Sequence, residues 1–297
     1  MDSFAYFLIA VYCLVDDLLK AMLGDTRLRS RGFEPKLSDS EVITMEIVGE
    51  LMGLDTDVAI FGFFRQHYAS WFPMLQDRTT FARQAANLWR VKQQIQAAIA
   101  DQIGAPLDDL YIVDGLPIPV CAYTRASRSR CFGGVAAFGY CAAKDQHFYG
   151  FKGHAIISSN GTIVDFDVTP ANADEREAAN GMLDTLRGTL LGDKGYISAA
   201  FKEDLRHRGI DLRTPARRNM ARTESKDELS ALCKLRRLVE TVIGQLAGRL
   251  HIEKVWARDL WHATSRFVRK ILAHTVGIFL NVTHGREPLH LAGLVPG

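Results

Sequence analysis

The strongest constraint on this 297-residue chain is a change of pattern near Pro106. Before it, apolar residues recur at helical spacing. In LSDSEVITMEIVGELMGL, Ile43, Ile47, Val48, Leu51 and Leu54 share one helical face, Ser38 or Asp39 can cap the start, and Gly53 can end the helix. Helices are also expected over residues 58–68 and from 80 to about 100, the latter with Arg83, Arg90 and Lys92 on a polar face. The apolar run 4–15 is too short to span a bilayer, ends in Asp16 and Asp17, and has no basic segment ahead of it. It reads as a buried helix, with no membrane partner and no export signal.

After Pro106 the runs shorten and turn β-branched. Leu110-Tyr-Ile-Val-Asp114, stopped by Gly115 and Pro117, reads as a buried strand ending at Asp114. Residues 148–158 and 162–168, with Gly161 between, read as an antiparallel hairpin. A helix over 175–187, a strand from Thr189 to Asp193, a helix over 198–208, a strand over 210–213 and helices over 228–250 and 264–282 complete the order. That order fits an α/β layer fold with a mixed sheet. It divides the chain into a helical domain over 1–105 and an α/β domain over 106–297.

Composition excludes several classes. Hydrophobic residues make up 47% and charged residues 24%, an ordinary globular balance. The five cysteines are odd in number and form no CxxC pair, which argues against a disulfide framework or a structural zinc site. Net charge is only +2, so polyanion binding does not follow from the whole chain. Residues 202–258, however, carry 14 Lys/Arg against eight Asp/Glu. That local excess suits either a phosphate-facing surface or an ordinary solvated one.

Three carboxylates stand out. Asp114 and Asp193 each close a short apolar run, and Glu240 lies on a helix with Arg236 and Arg237 on its face. Carboxylate oxygens suit Mg²⁺, and two such ions can serve an in-line phosphoryl transfer. Plain structural readings stand beside this one: a turn-forming Asp and an Arg–Glu surface pair. Spacing alone does not bring residues so far apart together.

The blocks LSDSEVITMEIVGELMG, VDGLPIPVC, FGYCAAKDQHFYGFKGH, VTPANADER, LLGDKGYIS and LRRLVETVIGQL, in this order over most of the chain, carry a resemblance. The chain resembles DDE-type transposases of bacterial insertion sequences, in particular the insertion-sequence 982 family. The resemblance implies a ribonuclease-H-like core and makes Asp114, Asp193 and Glu240 the catalytic and metal-binding triad, with two Mg²⁺ or Mn²⁺ ions. It implies cleavage at the element's ends and strand transfer into target DNA. The partners implied are double-stranded terminal inverted repeats and target DNA, bound by a homodimer in the cytoplasm, on the nucleoid. Arg125, Arg128, Arg130, Lys152, Lys194, Arg236, Arg237 and Arg249 are the candidate DNA contacts. Cys233 and Ala247 stand where related transposases carry Tyr and Lys around the third carboxylate. Two alternatives remain: a structure-selective nuclease, and a catalytically idle DNA-binding derivative. The helical domain reads as a DNA-binding or a packing module.

Overall fold

The computed structural model describes residues 3–29, 31–32, 34–142, 145–215, 226–254 and 256–295, and for 226–234 the backbone alone. The basic residues Arg217, Arg218 and Arg222, and the side chain of Cys233, lie outside the described residues. Two compact units form. One holds residues 1–99 together with 248–297, and the other holds 100–247.

The first unit is helical: α1 Ser3–Leu23, α2 Asp39–Leu51, α3 Asp57–His67, α4 Arg78–Asn87, most of α5 Trp89–Ile103, and α9 Leu260–Thr283. Ser38 caps α2 in a reciprocal box with Glu41, and Gly53 follows the helix with φ +81°. The long helix expected over 80–100 is two helices that break at Leu88.

Residues 248–297 belong here rather than with the sheet, which corrects the sequence-based boundary. The reason is a buried ionic network. Arg269 of α9 donates to Glu50 Oε1 at 2.6 Å and Asp57 Oδ1 at 2.7 Å, and Lys270 reaches Glu50 Oε2 at 2.7 Å. Lys92 lies 2.8 Å from Glu46 Oε2 and also donates to Ser265 Oγ and the Ala85 carbonyl. Arg266 meets Asp57 Oδ2 at 2.6 Å. Burial alone would raise Asp57, but Arg269 and Arg266 hold it at about 2. Lys92 is thus fully buried and not on a polar face.

The second unit is built on six strands: β1 Leu110–Cys121, β2 Ala137–Cys141, β3 Gln146–Ser158, β4 Ile163–Pro170, β5 Gly188–Leu191 and β6 Ile210–Arg213. β1 pairs with β3 antiparallel on one side and with β5 parallel on the other, and β6 extends the parallel half. β2 and β4 share the far edge of β3, β2 along residues 146–150 and β4 along 151–157. The helices α6 Glu175–Met182, α7 Ala199–His207 and α8 Lys226–Gly248 complete the unit. Tyr111, Val113 and Ile156 pack with Ala179, Met182 and Leu183 of the α6 segment and with Leu190, Leu205 and Leu212.

β1 corrects the expected strand end. It runs through Gly115, Pro117 and Pro119, so Asp114 sits inside a 12-residue strand. Both prolines face β3 across the ladder, opposite Lys152 and Gly150, and pairing shifts only between Pro119 and Cys121. On its other side β1 has no partner beyond Ile112, so the missing N–H groups break no ladder there. Among the described residues no helix is long and apolar enough to cross a membrane.

Candidate active site

The register of the parallel strands sets the geometry. Ile112 pairs with Leu191, the last residue of β5. Asp114 lies two residues beyond Ile112, and Asp193 lies two beyond Leu191. Both therefore lie just beyond the last pair of the parallel strands, Asp114 within β1 and Asp193 as the cap of the turn Lys194–Tyr196, and the charge of Asp193 acts on Asp114. A crevice beyond the carboxyl ends of parallel strands is where open α/β sheets bind ligands.

Local bonds fix each carboxylate. Asp114 Oδ1 accepts the Gly115 N–H at 2.8 Å. Asp193 Oδ1 accepts the Gly195 N–H at 2.7 Å and caps the short turn Lys194–Tyr196. A third carboxylate, Glu175 at the first turn of α6, joins them. A side-chain carbon added at Gly195 would stand 2.6 Å from Glu175 Oε2 and 2.9 Å from Asp193 Oδ1, so both oxygens crowd that glycine. Glu175 is held by Lys152 Nζ at 2.7 Å.

The electrostatics reflect this crowding. Burial raises Asp114 to about 6; the charges of Asp193 and Glu175 add to the rise, and the Gly115 N–H and Arg236 oppose it. Tyr196 is pushed up by burial and by Glu175, Asp114 and Asp193. Its hydroxyl is buried among these carboxylates and makes no hydrogen bond within the protein.

The remaining candidates separate into groups. Arg236 acts on Asp114 and is exposed, as are Arg237 and Glu240 on the same helix. Arg125, Arg128, Arg130 and Lys194 are exposed. Lys152 is half-buried in its ion pair. Arg249 is half-buried in the helical unit and donates to the Leu51 carbonyl at the end of α2 at 3.2 Å. His154 is fully buried, with Nε2 2.8 Å from Thr169 Oγ1, and burial lowers its pKa.

The sequence announces Glu175 only as a helix start. Its signal was the pair Asp174-Glu175, in which Asp174 caps α6 through the Arg176 N–H and leaves Glu175 on the first turn. No spacing in the sequence announces that this turn meets Gly195.

The donor set suits a divalent cation in its chemistry, since its atoms are hard carboxylate oxygens whose negative charge Lys152 and Arg236 offset only in part. Among the described residues, no three His, Cys, Asp or Glu side chains form a ready-made metal cage. Asp114 and Asp193 supply the oxygen chemistry that a divalent cation requires, without a complete set of ligands around one point.

The chain belongs to the transposase DDE domain family, whose model matches residues 105–260, and it is a DDE-type transposase. Among curated proteins none matches it. It is similar at 9% identity and TM-score 0.47 to a chain of the cryo-EM structure of a piggyBac transposase synaptic complex with hairpin DNA, covering 96% of this chain and 77% of that one.

Proposed function

We propose that this transposase cleaves DNA at the ends of its element and joins the freed 3′-hydroxyl to target DNA, using Asp114, Asp193 and Glu240. The position of Asp114 and Asp193 just beyond the last β1–β5 pair carries this reading. A ribonuclease-H-like core is the fold we assign to the sheet. Its supports are the strand order β4–β3–β1–β5–β6, antiparallel in the first half and parallel in the second. The partners we assign are double-stranded terminal repeats and target DNA, held by a homodimer. The resemblance to the insertion-sequence 982 family supports a bacterial element acting on the nucleoid.

Mg²⁺ or Mn²⁺ ions, held by Asp114, Asp193 and Glu240, would activate the attacking oxygen and neutralise the leaving one. The chain's own residues orient and screen. The Gly115 and Gly195 N–H groups aim the two aspartates. Lys152 pairs with Glu175 and offsets part of the negative charge that it brings beside the two aspartates. Lys194, Arg236 and Arg237 are exposed cations suited to phosphate oxygens.

Glu240→Gln tests the third position. It is expected to slow Mg²⁺-dependent nicking of terminal-repeat DNA by about a thousandfold or more, with DNA binding retained in a mobility shift. Nicking at the parental rate removes Glu240 from the triad and makes Glu175 the candidate. Nicking without any strand-transfer product in the parent chain would favour the structure-selective nuclease instead.

Gly195→Ala tests the packing. The added methyl meets only the carboxylate ends of Glu175 and Asp193, which polar bonds rather than packing hold in place, so the melting temperature should change little. Displacing those ends by a fraction of an ångström or more should lower the cleavage rate by about 10- to 100-fold. A parental rate in this variant would show that neither carboxylate needs its present position.

A further inference from the structure

The edge of the sheet carries a second feature that the carboxylates do not use. Phe138 and Tyr140 of β2 pair with Tyr149 and His147 of β3, so the four side chains share one face. Their rings touch: Phe138–Tyr149 centroids are 5.0 Å apart and Tyr140–His147 4.9 Å. Tyr123 joins from the preceding turn, 6.0 Å from both Phe138 and His147. Large aromatic rings seldom face water in such a group, yet Tyr123 is 51%, Phe138 53% and Tyr140 48% exposed.

Cations adjoin the rings. Tyr123 opens the turn Tyr123–Arg128, and Arg125, Arg128 and Arg130 are all exposed. The loop is anchored, because Ala126 and Phe132 are buried and Phe132 packs on Phe151 of β3 at 5.3 Å. The alternation of β3 puts His147, Tyr149, Phe151 and Ala155 on one face, and Ala155 is the residue opposite Asp114. Along this face the order is aromatic cluster, basic loop, Asp114. Tyr149 and Ala155 are six residues apart in β3, or roughly 20 Å, the rise of about six nucleotides. One acid lies at the margin: Asp145 accepts from the Tyr140 hydroxyl at 2.5 Å.

We propose that Tyr123, Phe138, Tyr140 and His147 form a stacking platform for unpaired bases of the DNA strand that runs from the cleavage site. The proposal rests on the transposase reading above. Its warrant is the combination of ring faces open to solvent, three flanking guanidinium groups for the backbone, and a shared sheet face with Asp114. Stacked bases meet aromatic faces without regard to sequence, and the backbone is held by charge. A duplex, with its bases already stacked on each other, gains little from such rings.

The test compares three labelled DNAs by fluorescence anisotropy: an oligothymidylate, a blunt duplex and the same duplex with an unpaired 3′ tail. The full chain is used, in EDTA. Phe138→Ala with Tyr140→Ala is expected to weaken oligothymidylate and tailed-duplex binding by about 5- to 150-fold and blunt-duplex binding by less than about threefold. Retained duplex affinity shows that the variant folds. Tyr140→Phe keeps the ring and loses the bond to Asp145, so it should bind like the parent. Arg125→Gln with Arg128→Gln should weaken all three DNAs and flatten their salt dependence. Equal loss on blunt and tailed DNA, or no loss at all, overturns the platform. So does a change of sedimentation without a change in tail affinity, which would make the patch a contact between chains. If the parent chain binds none of the three DNAs, the transposase reading itself fails, a result distinct from failure of the platform.

Discussion

Asp114→Asn should melt at a higher temperature than the parent chain in EDTA at pH 8, while cleaving DNA at least about a thousandfold more slowly in Mg²⁺. The two effects have one origin. Burial and the charges of Asp193 and Glu175 raise Asp114 to about 6 in the folded chain, above its usual value of 3.8. A carboxyl raised on folding stabilises most below its unfolded pKa, and that stability is lost as pH rises through the folded value. At pH 8 the ionised group is a net cost of about 3 kcal/mol. Asparagine removes the charge and can still accept the Gly115 N–H. The gain should therefore be present above pH 7 and vanish near pH 4. Calorimetry suits the measurement, because residues 100–247 contain no tryptophan. A variant no more stable than its parent at pH 8 would mean that Asp114 carries no trapped charge. Parental cleavage would remove it from the site.

Arg269→Met should destabilise the helical unit by about 3–5 kcal/mol. The methionine fills much of the space but leaves Glu50 Oε1 and Asp57 Oδ1 without their partner, deep among apolar side chains. Adding Glu50→Met should recover part of the loss, since a buried pair replaced by apolar residues is often close to neutral. All four tryptophans, Trp71, Trp89, Trp256 and Trp261, belong to this unit, so their fluorescence in urea reports its unfolding selectively. A shift below about 1 kcal/mol would show that water reaches and neutralises the cluster.

Much of this was legible in the sequence because period and capping are local. Ser38 with Glu41, the apolar run before Asp114 and the Asp-Lys-Gly stop after Leu191 each act within a few residues. Asp114 itself was read correctly as the companion of a strand but not as lying within one. Prolines 117 and 119 looked like terminators, and they are tolerated because β5 has already ended beside them. Glu175 and Lys92 were misjudged for a shared reason. Which charge is buried, and beside what, depends on partners 18 and 46 residues away, Asp193 and Glu46. The ionic network is tertiary information, and so was the docking of α9 that it produces.

The interleaved connectivity of the two units has a consequence for synthesis. The α/β unit is an uninterrupted stretch, whereas the helical unit is opened by residue 99 and closed only by residues 248–297. On the ribosome, the sheet with its two aspartates is complete while Glu50 and Asp57 still await Arg266, Arg269 and Lys270. At about 5–20 residues per second the 23 residues from 247 to 270 take roughly 1 to 5 s. A message cut short after residue 247 would yield a whole sheet together with two acids, Glu50 and Asp57, deprived of their partners from α9, while Glu46 keeps Lys92. Such a product is a natural target for proteolysis, so α9 is the element on which the survival of the helical unit depends.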